Sequence, residues 1–184
     1  MKTNAFLAVA CAAALAGCDY TVPLTATPDR PIDPALVGLW ERQDEAQGGA
    51  EKLLVLPLGK NEYLVSYPAN SKNALFARAT LCKAADLTLL QLTWFGTALG
   101  TVADDARIYQ YATFTVAGDT LKGRLLNGDV VDRDAASAAA LIAAIEANAD
   151  SPKRFRDEWT FTKVKPPPDP HAALKRPPMP AGWQ

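Results

Sequence analysis

From Leu36 onward, apolar and polar residues alternate in short runs separated by turn residues, and the pattern continues for about 90 residues. Regular short runs of this kind predict a mainly β protein: a small antiparallel β-barrel or curved meander sheet of about eight strands. The first run is Leu36-Val37-Gly38-Leu39-Trp40-Glu41-Arg42. Leu53 to Pro57 and Tyr63 to Tyr67 follow, joined by Gly59-Lys60-Asn61-Glu62, a connection short enough for a hairpin. Ala74 to Lys83 sets Leu75, Ala77, Ala79 and Leu81 against Phe76, Arg78, Thr80 and Cys82, so one face is plainly apolar and the other mixed. In Leu87 to Phe95 the alternation slips between Leu89 and Leu90, which predicts a β-bulge there. Arg107 to Val116 is the cleanest strand, and Gly118-Asp119 and Asn127-Gly128 supply hairpin dipeptides that accept positive φ.

The pattern changes at Asp134. Asp134 to Ala149 is alanine-rich, with Asp134 placed to cap the first turn and Leu141, Ile142 and Ile145 forming a narrow apolar stripe. This predicts one late α-helix laid on the outside of the sheet, ended by Ser151-Pro152. Asp157 to Val164 then reads as a final strand. Proline-rich segments flank the domain. Residues 18–35 carry Pro23, Pro28, Pro31 and Pro34 with little apolar bulk, and predict an extended tether. Residues 165–184 hold seven prolines and the chain's only histidine, His171, and predict a disordered or polyproline-like tail.

The N-terminus has a different composition. Lys2 is followed by an uncharged run from Ala5 to Ala16, a secretory h-region too short to cross a bilayer, which takes about 20 apolar residues. Leu15-Ala16-Gly17-Cys18 resembles the lipobox of bacterial lipoproteins. That resemblance implies a signal peptide over residues 1–17 and a diacylglyceryl thioether, with further acylation such as palmitate, on Cys18. Two or three acyl chains hold a protein on a membrane stably where one holds it marginally. The expected location is the bacterial cell envelope, facing the periplasm and anchored to the inner or the outer membrane.

Composition narrows the chemistry. Removal of the signal leaves 18 basic and 20 acidic side chains, a balance that argues against nucleic acid as a partner. Once Cys11 leaves with the signal and Cys18 takes lipid, Cys82 has no intrachain partner, so no disulfide framework is expected and burial is its expected fate. His171 lies in the tail, which rules out histidine-based triads and histidine-rich zinc sites. Asp104-Asp105 and the group Asp129, Asp132 and Asp134 lack the ligand alternation of a calcium loop. No catalytic residue, metal or cofactor is assigned, and the protein is expected not to be an enzyme.

Gly38-Leu39-Trp40 at the start of the first strand, the strand runs from Glu51 to Asp132, the late helix and the strand ending at Val164 together resemble the lipocalin plan. The resemblance implies that Trp40 plugs the closed end of a barrel and stacks on an arginine from a late strand, with Arg124 and Arg133 as candidates. Two functional expectations follow. One is a non-catalytic structural or interaction module with an envelope protein as partner, its barrel filled by residues such as Leu53, Val55, Ile108, Phe114 and Phe161. The other is a binder or carrier of a small apolar molecule, with Tyr63, Tyr67, Phe76, Trp94, Tyr109 and Tyr111 as candidate cavity lining; on the opposite strand phase these residues would face outward.

Overall fold

The structure, a computed structural model, describes residues 20–44, 49–101 and 107–165. The strands are β1 (Gly38–Asp44), β2 (Gly49–Pro57), β3 (Tyr63–Tyr67), β4 (Leu75–Ala84), β5 (Leu87–Thr97), β6 (Gly100–Thr101), β7 (Tyr109–Ala117), β8 (Thr120–Leu126) and β9 (Phe155–Lys163), with helix α1 (Ala138–Ala147) between the last two. All pairings are antiparallel. Leaving aside the two-residue β6, which extends β5 alone, each strand pairs with its successor and β9 returns to β1. Eight strands therefore close into an up-and-down barrel. Closure removes exposed sheet edges, and eight strands leave an interior about wide enough for side chains or one small ligand.

Strand alternation sorts the apolar residues into two separate cores. The inner one holds Trp40, Val55, Tyr63, Val65, Ala77, Ala79, Leu92, Trp94, Leu121 and Phe161. The outer one lies under α1 and contains Cys82, Ala84, Leu89, Tyr111, Leu126, Leu141 and Ile145. This second core explains the slipped alternation in β5. No bulge occurs at Leu89-Leu90; Leu90 faces inward and Leu89 outward, and the outward face is buried as well. The register shifts fall instead between Phe76 and Ala77 and between Gly123 and Leu125.

Helix α1 is shorter than the alanine-rich run suggests. Its N-cap is Ser137, whose hydroxyl accepts the Ala140 N–H at 3.2 Å, not Asp134. Asp134 is instead ion-paired with Arg107 at 2.6 Å. Residues 131–134 form a turn and 136–137 a bend, with Val131 and Ala135 buried in the outer core, and the helix begins only beyond them.

Residues 20–33, expected to be a free tether, are bound to the barrel as a strap. Tyr20 exchanges two backbone hydrogen bonds with Tyr109, both 3.1 Å, and its ring is 1% exposed. The Tyr111 hydroxyl donates to the Val22 carbonyl. Gln91 then grips the backbone: its Oε1 accepts the N–H groups of Leu24 and Thr25 at 2.8 and 3.0 Å, and its Nε2 donates to the Thr25 carbonyl at 2.9 Å. Farther on, Asn61 donates to Pro28 and Ile32 donates to Lys60. Proline density did set an extended shape here, but polar side chains of the sheet meet the backbone groups that shape leaves unpaired. Gln91→Ala should raise amide exchange at Thr25 at least about tenfold, the loss of roughly 1.4 kcal/mol of local protection, and less at Leu24, whose N–H also donates to the Tyr111 hydroxyl at 3.2 Å. Unchanged exchange at Thr25 would mean that Gln91 does not hold the strap.

Cys82 is 3% exposed, and its thiol lies 3.6 Å from the Leu89 carbonyl. Burial pushes the thiol up to about 12. The folded protein should therefore resist thiol reagents at pH 8 and react only on denaturation, because the thiolate is the nucleophile. The same shift carries a stability term. The unfolded thiol loses its proton near 9.0 while the folded one keeps it to about 12, so the unfolded state binds fewer protons in that interval. Stability is unaffected below that interval and falls as pH rises through it, by up to about 1.4 kcal/mol per pH unit. Tyr111, raised above the ordinary phenol range chiefly by burial, adds in the same direction. A flat denaturation midpoint between pH 9 and 11 would contradict this.

Residues 1–17, which sequence reading takes as a signal peptide, Cys18, Asp104, Asp105, His171 and most of the proline-rich tail lie outside the described residues. Among the described residues no helix is long and apolar enough to cross a membrane.

Candidate functional site

One end of the barrel is sealed by its own first residues. A 3-10 turn (Pro34–Leu36), started by Pro34 and capped by the Asp33 side chain, lays Leu36 across the opening. Trp40 lies fully buried behind it, its indole Nε1 donating to the Leu36 carbonyl at 2.9 Å. The ring is covered by Lys163, whose Nζ is 4.9 Å from the centroid and also donates to the Ala35 carbonyl at 3.3 Å. Neither expected arginine takes that place. Arg124 donates to the Phe155 carbonyl on the outside of the barrel, and Arg133 bonds Gly128 and Asp129 in the turn after β8. Lysine reaches the ring because β9 pairs Lys163 directly with Trp40. Gly38 is required by its backbone, since its φ of +145° is one that L side chains rarely adopt; the Lys163 Cε that a Cβ would meet at 2.9 Å is the end of a flexible chain and could shift.

Beyond this floor the barrel is hollow. A cavity of about 560 Å³ runs from Leu36, Tyr63 and Leu121 at the sealed end to Arg42, Tyr67, Leu75, Gln110 and Glu158 at the other. Val55, Val65, Leu90, Leu92, Ala112 and Phe114 form much of the wall between. A small residue helps to open this space: Ala112 on β7 stands on the wall where a larger side chain would project into the cavity. Gly123 has a related part. A Cβ there would lie 2.2 Å from Trp159 Cη2, so its absence lets the Trp159 ring lie flat on β8 as a cavity wall.

At the open end Arg42, Glu51 and Tyr67 form a polar cluster. Arg42 donates to Glu51 at 2.8 Å and to the Tyr67 hydroxyl at 2.6 Å, and that hydroxyl donates to Glu51. The guanidinium also lies over the rings of Phe161 and Tyr67, at 5.2 and 5.7 Å. Cross-strand register creates the cluster, since Arg42 faces Glu51 across β1 and β2. Burial first, and then the bond to Glu51, raise the Tyr67 phenol well above its usual range, so it stays protonated and donating. The charges offset one another, which permits them in an apolar enclosure.

The seam between β1 and β9 is the least-paired in the ring. Only Trp40 with Lys163 and Glu41 with Thr162 are in register, whereas every other barrel pairing contains at least four residue pairs. At the open end the two strands part, and Arg42, Asp157, Glu158 and Trp159 border the gap. Asp157 adopts a positive φ of 52° where β9 bulges away.

Of the aromatic residues that sequence singled out as cavity lining, Tyr63, Tyr67 and Trp94 stand on the cavity wall. Phe76, Tyr109 and Tyr111 do not. Phe76 is stacked on Phe95 at 6.5 Å on the outer surface, and the two tyrosines belong to the outer core with Tyr20. The phase of β7 decides this, because Gln110, Ala112 and Phe114 take the inward positions. Among the lining residues that sequence reading missed are Arg42, Gln110, Ala112 and Trp159. The alternation marks them only once the inward phase of each strand is known.

No protein-family model, curated protein or solved structure matches the chain. Among the described residues no group of three histidine, cysteine or acidic side chains gathers to hold a metal ion. Asp129 and Asp134, which border a shallow surface pocket, are each ion-paired with an arginine. What the interior offers is a mostly apolar enclosure with hydrogen-bonding groups at its entrance.

Proposed function

We propose that the protein is a lipid-anchored lipoprotein of the bacterial cell envelope whose lipocalin-like barrel binds a small apolar molecule. The observation that carries the reading is the hollow interior. At about 560 Å³ it lies within the range of ligand pockets, roughly 300–1,000 Å³, and its wall is apolar with few polar groups. A structural or interaction module would be better served by a filled barrel, since each void forfeits packing. Leu53, Val55, Phe114 and Phe161, which would have to fill it, instead line the space. Arg42, Glu51 and Tyr67 at the entrance favour a ligand with an apolar body and one polar end that remains near solvent.

The test is native mass spectrometry of the full chain taken from bacterial membranes in mild detergent, followed by organic extraction. A stoichiometric adduct of apolar character is the expected result. A clean apoprotein that also takes up no member of a panel of lipids and apolar dyes would overturn the reading and return attention to an envelope protein partner. The anchor is tested separately: Cys18→Ser should release a soluble or unprocessed chain, and a variant that still fractionates with membranes after a carbonate wash would defeat it.

A further inference from the structure

Arg42 carries the one positive charge among the residues that line the cavity, and that charge is already committed. Its guanidinium is bound twice to Glu51, through Nε at 2.8 Å and Nη2 at 2.7 Å, and donates to the Tyr67 hydroxyl at 2.6 Å. Its faces lie against the rings of Phe161 and Tyr67. Lys72, exposed in the turn between β3 and β4, is not part of that lining.

The negative charge at the same end is not used up. Asp157 is paired with Arg156 at 2.9 Å, but Glu158, exposed beside it on the border of the seam, has no ion pair among the described residues. The bonds from Arg42 and Tyr67 all fall on Glu51 Oε2, so Oε1 accepts no hydrogen bond among the described residues. With Arg42 set against Glu51 and Arg156 against Asp157, Glu158 leaves the mouth with one net negative charge.

This balance discriminates between polar ends of a ligand. A carboxylate entering here would have to share Arg42 with Glu51, two like charges on one guanidinium, beside an apolar interior that strengthens their repulsion. An ammonium needs only acceptors, and acceptors are what the mouth has left. The gap in the seam keeps that group in reach of water, so its charge is not stripped of solvent outright. A hydroxyl brings one donor and no charge, and falls between the two.

We propose that the barrel takes long-chain amines, the apolar chain in the cavity and the ammonium at the mouth donating to Glu51 and Glu158, and that it turns away chains ending in a carboxylate. The proposal rests on the ligand-binding reading of the cavity and names the class of ligand.

The experiment uses the full chain in phosphatidylcholine nanodiscs, loaded with a neutral, environment-sensitive apolar dye. Dodecylamine, dodecanol and dodecanoate compete with the dye at about pH 8, where the amine is protonated and the carboxylate ionised. Empty nanodiscs measure what each probe loses to lipid. Expected is half-displacement by the amine at a free concentration at least about tenfold below that of the carboxylate, with the alcohol between. Glu158→Gln should cut the ratio to about threefold or less, whereas Glu146→Gln, which removes the same charge from α1, should leave it unchanged. Glu51→Gln leaves the Arg42 charge unmatched and should improve displacement by dodecanoate at least about threefold. Equal displacement by amine and carboxylate, or a preference for the carboxylate, would overturn the selectivity while leaving the container intact. A Glu158→Gln ratio equal to that of Glu146→Gln would do the same. A chain that binds neither the dye nor any of the three probes would overturn the container reading and the selectivity together. Melting curves establish that each variant is folded.

Discussion

Ala112→Trp should leave a folded barrel that no longer takes up an apolar ligand. Ala112 stands on the inward face of β7, is 1% exposed, and lines the middle of the cavity between Leu90 and Leu125, its partners on β5 and β8. An indole there projects into space already empty, so the overpacking that costs about 1–3 kcal/mol in a filled core is largely avoided. The affinity for an environment-sensitive apolar dye should fall at least about tenfold, equivalent to roughly 1.4 kcal/mol. Thr115→Trp, outward on the same strand, should leave the affinity unchanged and serves as the control. If Ala112→Trp bound the dye as well as the unaltered chain, the dye would be binding outside the barrel, and the case for a container would fail.

The second large effect is on stability. Trp40→Ala should cost about 3–5 kcal/mol, in the range for truncating a buried tryptophan. The position loses a fully buried ring, the hydrogen bond to the Leu36 carbonyl and the surface under Lys163. Since the same ring joins β1 to β9, the loss falls on the least-paired seam of the barrel. The thermal midpoint should drop by roughly 10 °C, at about 2–4 °C per kcal/mol for a domain of this size. Trp40→Phe should cost distinctly less, because it keeps most of the packing and gives up the indole N–H. A Trp40→Ala midpoint within 2 °C of the unaltered protein would show that the floor of the barrel does not depend on this residue.

How much of this could be read from the chain depends on which faces are buried. Alternation locates β3 closely, whereas β2 begins at Gly49, before the expected Leu53; where both faces are covered, as in β5, it misleads. Leu89 and Leu90 are both apolar because one meets the barrel interior and the other the outer core, and no bulge is needed. The aromatic residues show the same limit. Alternation groups Tyr109 with Tyr111 but does not say that their common face is outward, since Ala112 and Gln110 look poorer candidates for a cavity than tyrosine does. In this barrel the small Ala112 helps to make the cavity, and its contribution is space. The strap was illegible for another reason: its hold depends on Gln91, Tyr111 and Asn61, which are distant in sequence and carry no local signal toward residues 20–33.

The β1–β9 seam also determines when the barrel can exist. Trp40 and Lys163 face each other across it, although nearly the whole domain separates them in sequence. A chain threaded N-terminus first through a membrane can pair β1 with β2 and β2 with β3 as they emerge, but the ring stays open until Lys163 has passed. Long-range closure of this kind comes at the end of chain emergence, whatever the order of the local steps. If the chain is exported, the enclosure is completed only on the far side, and its first occupant is a molecule found there.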